Sequence, residues 1–279
     1  MWNNFLHAGI LLQATTIAYL ATFLLYLASV FFRHKVVNWL CLLGLGTGVV
    51  INTIFMINRW IEAGRAPIKS RFEAMILLAW CIALTALIVE LAHKVRIVSL
   101  LSSLTAFGSL LLAFVWYDSL IENLPAALQS FWFIPHVVVY FLGYAAAAVS
   151  FFSAVLTLFF PHPRRLQKNN LLGQEYLDFD GYTYHLIVFS FVMLTLGLVM
   201  GALWAKDAWG TYWAWDPKEN WALISFFVYG LYLHFRKIKG WKGKPATWFA
   251  ILGFVAIIIT FLGVNYLPTA QESVHTYLD

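Results

Sequence analysis

Residues 183–204 read TYHLIVFSFVMLTLGLVMGALW. These twenty-two positions hold no aspartate, glutamate, lysine or arginine, and the apolar residues run on without alternating. A half-buried strand would alternate, and a barrel strand would end after about 10 residues. An α-helix needs about 20 apolar residues to cross the roughly 30 Å hydrocarbon layer of a membrane. The stretch therefore reads as a membrane-spanning helix. Further continuous runs lie at 8–31, 36–58, 72–92, 95–116, 133–160, 219–235 and 246–266, which makes eight in all, with 219–235 the shortest.

The whole chain agrees with that reading. It is 62% hydrophobic and 11% charged over 279 residues, with a mean hydropathy of +0.76, and a soluble domain could not hide so much apolar surface. The fold class expected is all-α, a polytopic membrane helical bundle of about eight transmembrane helices. Connections are short and no internal repeat is present, so residues 1–279 read as a single transmembrane domain. The first run has no basic residue before it and is too long for a cleavable signal peptide, so it reads as a span.

Orientation follows from lysine and arginine, which gather on the cytoplasmic side. The loops after the first, third, fifth and seventh helices carry twelve basic residues, among them Arg33, Lys35, Arg164 and Arg236, against six on the other side. Both termini and the loop between the sixth and seventh helices are then expected on the outer, periplasmic side. The net charge of +5 follows mostly from this topology, so the surface partner expected is membrane lipid, with no nucleic acid. Cys41 and Cys81 are isolated and read as small buried apolar residues.

The outer loop, residues 209–221, reads WGTYWAWDPKENW. Tryptophan and tyrosine anchor membrane proteins at both interfaces, which accounts for most of the thirteen tryptophans. It accounts less well for Trp209, Tyr212, Trp213 and Trp215 within seven residues, with Gly210 among them and Trp221 close behind. Dense rings beside a glycine suit a flat, apolar, π-rich ligand. Asp216-Pro217-Lys218-Glu219 reads as a helix start, with Asp216 as N-cap, Pro217 at the first position and Glu219 completing a capping box. Such a helix N-terminus offers a positive dipole end to a ligand's carboxylates.

Histidines complete the pattern. His136 follows Pro135 at the outer end of the fifth helix, and His275 lies in the outward C-terminal tail. His234 ends the seventh helix. It lies sixteen residues below Lys218, or roughly 24 Å at about 1.5 Å each, which puts it near the inner face. His185 opens the sixth helix, His7 lies near the outer end of the first, and His34, His93 and His162 fall in basic inner loops. Imidazole is a common iron ligand, and two can hold haem from opposite faces. A flat ligand with a metal centre and carboxylates is what the set asks for, and haem has all three. Lys206, Lys218, Arg59, Arg65 and Arg71 are candidate partners for its propionates.

The stretch WGTYWAWDPKENWALI resembles the tryptophan-rich "WWD" signature of the CcsA (ResC) family of cytochrome c maturation proteins, members of a haem-handling superfamily. LTLGLVMGALWAKDAWG, HVVVYFLGYA, YLHFR, the GVN near the C-terminus and GRAPIKSRFEAMILLAW also fit. The resemblance implies haem transport across the membrane and presentation for covalent attachment to the CxxCH of apocytochrome c. It implies a ResB/Ccs1-type membrane partner and a place in a cytochrome c synthase (haem lyase) complex, with haem b as transported substrate. The implied location is an inner (cytoplasmic) or thylakoid membrane. By the same resemblance, His136 and His275 match the two external histidines that ligate haem beside the loop. His234 matches a histidine that ligates haem within the membrane, the second inner ligand coming from the partner. Tyr184-His185 stands where the family usually has arginine; His185 either adds a ligand or replaces a lipid-facing residue.

Two other readings are weighed. A haem chaperone that only delivers haem to a separate carrier would show much the same loop. A proton- or ion-coupled transporter of another hydrophobic substrate would carry ionisable side chains inside its helices. Here the helix interiors are expected to lack them, with Glu90 snorkelling at the inner end of the third helix. The chain shows no HExxH, no Ser/His/Asp set and no nucleotide loop, so no catalytic residue is assigned.

Overall fold

The computed structural model describes residues 9–32, 34–93, 95–116, 119–160, 164–165 and 176–266. His7, His162 and His275 lie outside them. Eight long helices are present: α1 Ile10–Phe31, α2 Lys35–Ala63, α3 Arg71–His93, α4 Arg96–Trp116, α5 Phe133–Phe159, α6 Phe179–Trp209, α7 Pro217–Ile238 and α8 Lys244–Phe261. Short 3-10 turns cover Ala126–Leu128 and Gly263–Tyr266, and a two-residue antiparallel ladder joins Arg164–Arg165 (β1) to Tyr176–Leu177 (β2). Every expected apolar run is a helix, and the protein is a multi-pass membrane protein. Among the described residues seven helices are long and apolar enough to span; α7, with Lys218, Glu219, Arg236 and Lys237 at its ends, is the exception.

The chain forms two compact units. Unit 1 comprises Met1–Leu124 and Arg164–Leu177, and unit 2 comprises Pro125–Pro163 and Asp178–Asp279.

In unit 1, α1 packs on α2 and α4, and α3 on α4 and α2. Its interior is more polar than the sequence suggests. Glu73, in the first turn of α3, and Glu90, near its last turn, are 1% and 3% exposed, which corrects the expectation that Glu90 snorkels. Glu90 accepts a hydrogen bond from the Tyr26 hydroxyl on α1 and faces Arg96 Nε at 4.0 Å. Glu73 is the hub of a buried ion cluster. It meets Arg59 Nε at 3.0 Å and Arg65 Nη1 at 2.9 Å, and it also accepts the Lys69 N–H at 2.8 Å. The two guanidinium groups spend further donors on the carbonyls of Ser119 and Glu122. A carboxylate can be buried this way because each of its lone pairs has a donor. Arg59 and Arg65 are therefore committed to the fold of unit 1, not held ready for a ligand's carboxylates.

In unit 2, the most extensive packing is between α5 and α6, with α8 lying on α5 and α7. Small residues allow it: Ala145–Ala148 of α5 are buried, and Gly143 lies against Met193 and Leu194 of α6. One end of the unit is locked by Asp180, whose carboxylate takes Arg236 Nη1 at 2.6 Å and the Gly243 N–H at 2.9 Å. That ties the start of α6 to the end of α7 and the start of α8. The other end carries the tryptophan loop.

Candidate functional site

The loop is built by its own polar residues. α6 stops because Gly210 turns left-handed at φ 82°, and its N–H returns to the Lys206 carbonyl at 3.0 Å. The Lys206 ammonium then bonds the Gly210 carbonyl at 2.8 Å and lies 5.5 Å from the centre of the Tyr212 ring. Lys206 is thus part of the loop's frame. Six residues after Gly210, α7 is opened by the predicted capping box: Asp216 Oδ1 accepts the Lys218 N–H at 2.8 Å, with Pro217 in the first turn. Glu219 Oε2 accepts two further N–H groups, from Ala214 at 2.9 Å and Asp216 at 3.1 Å. The helix N-terminus is therefore closed by two carboxylates of its own. This differs from the expected docking point for a ligand's carboxylates, because the dipole already has its anions.

Trp215 lies between those clamped peptides. Its φ is 58°, and it is the only non-glycine residue in the left-handed region among those described. A Cβ there meets the following carbonyl, at a cost of about 1–2 kcal/mol. Glu219 grips the peptides on either side, and the Asn220 amide bonds the Trp215 carbonyl at 2.9 Å. The result is an indole turned outward, 69% exposed, with its ring at 84° to that of Trp213 and 6.0 Å away. Trp213 is half-buried, and its Nε1 is a buried donor that meets no acceptor among the described residues. Tyr212 is exposed, Trp209 and Trp221 are half-buried, and Asp216 is buried.

His136 lies at the same end of unit 2. It follows Pro135, which falls in the first turn of α5, where an N–H has no helical acceptor to miss. The His136 N–H bonds the Trp132 carbonyl at 3.0 Å. Its ring is enclosed by Tyr140 at 4.8 Å and Trp204 at 5.5 Å, the latter tilted by only 31°. Nδ1 lies 2.9 Å from the Gly197 carbonyl oxygen. A carbonyl only accepts, so Nδ1 donates, and the neutral ring then carries its lone pair on Nε2. Metal-binding histidines are typically set in this way, with one nitrogen anchored by backbone and the other left basic. The residues present therefore fit an iron ligand at this position.

Trp204 and the two glycines beside His136 were not singled out by sequence reasoning. Trp204 is 3% exposed, its Nε1 donates to the Ala127 carbonyl at 2.7 Å, and its ring bridges His136 to Trp209, 4.8 Å away. The signal available was Gly197-x-x-x-Gly201, a spacing that marks close helix approach in membranes.

The other candidates stand apart. His234 is exposed near the end of α7, its ring edge-on to Phe235 at 5.7 Å, and His185 is exposed on α6 against Tyr184 at 5.3 Å. Both belong to the Asp180–Arg236 end of unit 2, away from the loop. The structure thus brings His136, Trp209, Gly210, Tyr212, Trp213, Trp215, Asp216 and Trp221 to one end and His234 to the other. Among the described residues no group of three or more histidine, cysteine or acidic side chains could hold a free metal ion.

A family profile described as Cytochrome C assembly protein matches residues 69–270. A cytochrome c biogenesis protein CcsA of Prochlorococcus marinus (strain MIT 9515) is 37% identical over 243 residues, 78% of this chain and 78% of its own length. The protein of the same name in Chlamydomonas reinhardtii is 34% identical over 242 residues, 84% of this chain and 67% of its own. A solved structure, cytochrome c heme lyase CcmF, superposes with a TM-score of 0.63 at 20% identity, covering 91% of this chain and 46% of that one. This chain thus spans about half of that structure, and the likeness is one of fold.

Proposed function

The chain belongs to the cytochrome C assembly protein family, and on that premise we propose that it carries haem b as substrate to the tryptophan loop and presents it there to apocytochrome c. A role in cytochrome c maturation follows from the family. The finer reading rests on one observation, the His136 ring anchored through Nδ1 on Gly197 at the end of unit 2 that carries the loop. That leaves Nε2 basic for iron. The exposed Trp215 indole, with Trp209 and Trp213, offers apolar faces to a porphyrin. His275, outside the described residues, is the proposed opposite ligand. His234 is the proposed ligand at the other end, completed by a histidine of a ResB/Ccs1-type subunit. The loop faces the outer side of an inner or thylakoid membrane, in keeping with the distribution of lysine and arginine.

Attachment needs no oxidant. Each cysteine thiol of the apocytochrome adds across a haem vinyl group, with sulfur bonding one carbon and the thiol proton ending on its neighbour. The protein's proposed contribution is to hold the reactants in register. The test is His136→Ala in the protein co-expressed with its partner subunit and a reporter apocytochrome. The expected result is loss of the low-spin haem spectrum of the outer site together with loss of covalent haem on the reporter. An unchanged spectrum and unchanged maturation refute the assignment.

A further inference from the structure

The seam between α5 and α6 contains three glycines with different neighbours. A Cβ at Gly143 would meet Met193 Cβ at 3.1 Å, and one at Gly197 would meet the Tyr140 ring at 2.7 Å. A Cβ at Gly201 would meet His136 itself, Cε1 at 2.6 Å and Nδ1 at 2.8 Å. These separations are well below van der Waals contact, and His136 is held on the other side by Tyr140 and Trp204.

The spacing of four gives this a specific meaning. In an α-helix the Gly197 carbonyl is the one that receives the Gly201 N–H. Its second lone pair takes His136 Nδ1. Side chains lean toward the helix N-terminus, so a Cβ at 201 leans over the turn that holds that carbonyl. The imidazole occupies the space where that side chain would lie. With any other residue at 201 the ring must retreat by about 1 Å, and a bond of 2.9 Å stretched that far is lost.

We infer that Gly201, with Gly197, is a positioning residue for His136: the absent side chain opens the Gly197 carbonyl to Nδ1 and so fixes which nitrogen of the ring faces iron. The inference rests on the proposed role of His136 as haem ligand. It assigns the Gly-x-x-x-Gly pair a ligand-setting task in addition to helix packing.

The experiment compares Gly201→Ala, Gly143→Ala and His136→Ala in the full chain purified with its partner subunit and loaded with haem. Readouts are the ligand-field bands of ferric haem by optical and electron paramagnetic resonance spectra, haem affinity, and the thermal melt of haem-free protein. Outer-shell partners of metal-binding histidines typically contribute about 10- to 100-fold in affinity. Gly201→Ala is expected to weaken outer-site haem by about that factor and to shift its bands toward those of His136→Ala. Gly143→Ala disturbs the same seam without touching His136, and should lower the melt while leaving the bands as in wild type. If Gly201→Ala keeps wild-type bands and affinity while His136→Ala loses them, the positioning role is wrong and the haem assignment stands. If His136→Ala keeps them, the assignment and the inference fall together. Should Gly201→Ala fail to insert, the wild-type protein decides, through hyperfine spectroscopy with ¹⁵N-histidine in H₂O and D₂O. A hydrogen-bonded, exchangeable proton on the remote nitrogen of His136 supports the inference, and its absence overturns it.

Discussion

Replacing Trp215 by glycine should leave the fold as stable as before, or more so, while removing a proposed haem contact. The left-handed backbone at φ 58° costs a residue with a Cβ about 1–2 kcal/mol, and glycine nothing. Against that relief stands the greater freedom of glycine in the unfolded chain, about 0.4–1 kcal/mol. The clamps survive, because Glu219 and Asn220 bind the Ala214 N–H, the Asp216 N–H and the Trp215 carbonyl, all backbone groups. Little packing is lost from an indole 69% exposed. The net expectation is a gain of about 0–1.6 kcal/mol for Trp215→Gly. Trp215→Ala removes the same ring but keeps the Cβ, so it should be the less stable of the two, a reversal of the order seen in helices. Equilibrium unfolding of haem-free protein in mixed micelles measures this, and the haem retained after purification measures function. Both variants should lose haem alike. An alanine variant as stable as the glycine one would show that the backbone is not strained. Undiminished haem in both would show that the ring is not a contact.

Two further outcomes follow from the ion clusters. Glu73→Ala leaves Arg59 and Arg65 buried without their anion, and should destabilise unit 1 by about 3–5 kcal/mol. This is measurable as lost membrane accumulation and a lowered melt, and an unchanged melt would mean that water reaches those guanidinium groups. Asp180→Ala removes the carboxylate shared by Arg236 and the Gly243 N–H, at a cost of about 1.5–3 kcal/mol. Because both side chains are largely buried, the loss should persist at high salt, whereas a surface pair would be screened; a difference that vanishes at high salt would contradict the buried geometry.

The helices were legible because the membrane requirement is long and one-dimensional. Eight apolar runs became eight helices, and misjudged ends have local causes. α6 continues to Trp209 instead of stopping near 204, because nothing interrupts it before Gly210 can turn left-handed. α7 begins at Pro217, as its capping box predicts, two residues ahead of the apolar run. The cap itself, Asp216 with Glu219, was readable since it lies within four residues. What could not be read are contacts that depend on which helices become neighbours. Glu73 is buried only because Arg59 and Arg65 come from α2 and the turn after it. Nothing around FEAM announces them. Likewise Gly201 is ordinary until α5 brings His136 across it.

The same distinction bears on function. A residue that opposes its local surroundings needs a reason outside them, and several such residues share one end of unit 2. Gly197 and Gly201 lie inside a helix, where each costs about 1 kcal/mol relative to alanine. Trp215 occupies a backbone region that favours glycine, and the Trp213 indole N–H is buried without an acceptor among the described residues. Unit 1 also has buried side-chain atoms without partners, on Thr22, Asn52 and Ser102, but no residue there other than glycine adopts a positive φ among those described. Its buried Glu73 is matched by Arg59 and Arg65, donor to acceptor. The loop end of unit 2 instead combines helix-interior glycines, a left-handed tryptophan and an orphaned donor around one anchored imidazole. Departures from local preference of this kind collect where a protein binds or reacts. None is needed to fold a bundle of eight helices, and each has a use if a flat ring with a metal at its centre is to be held at that end.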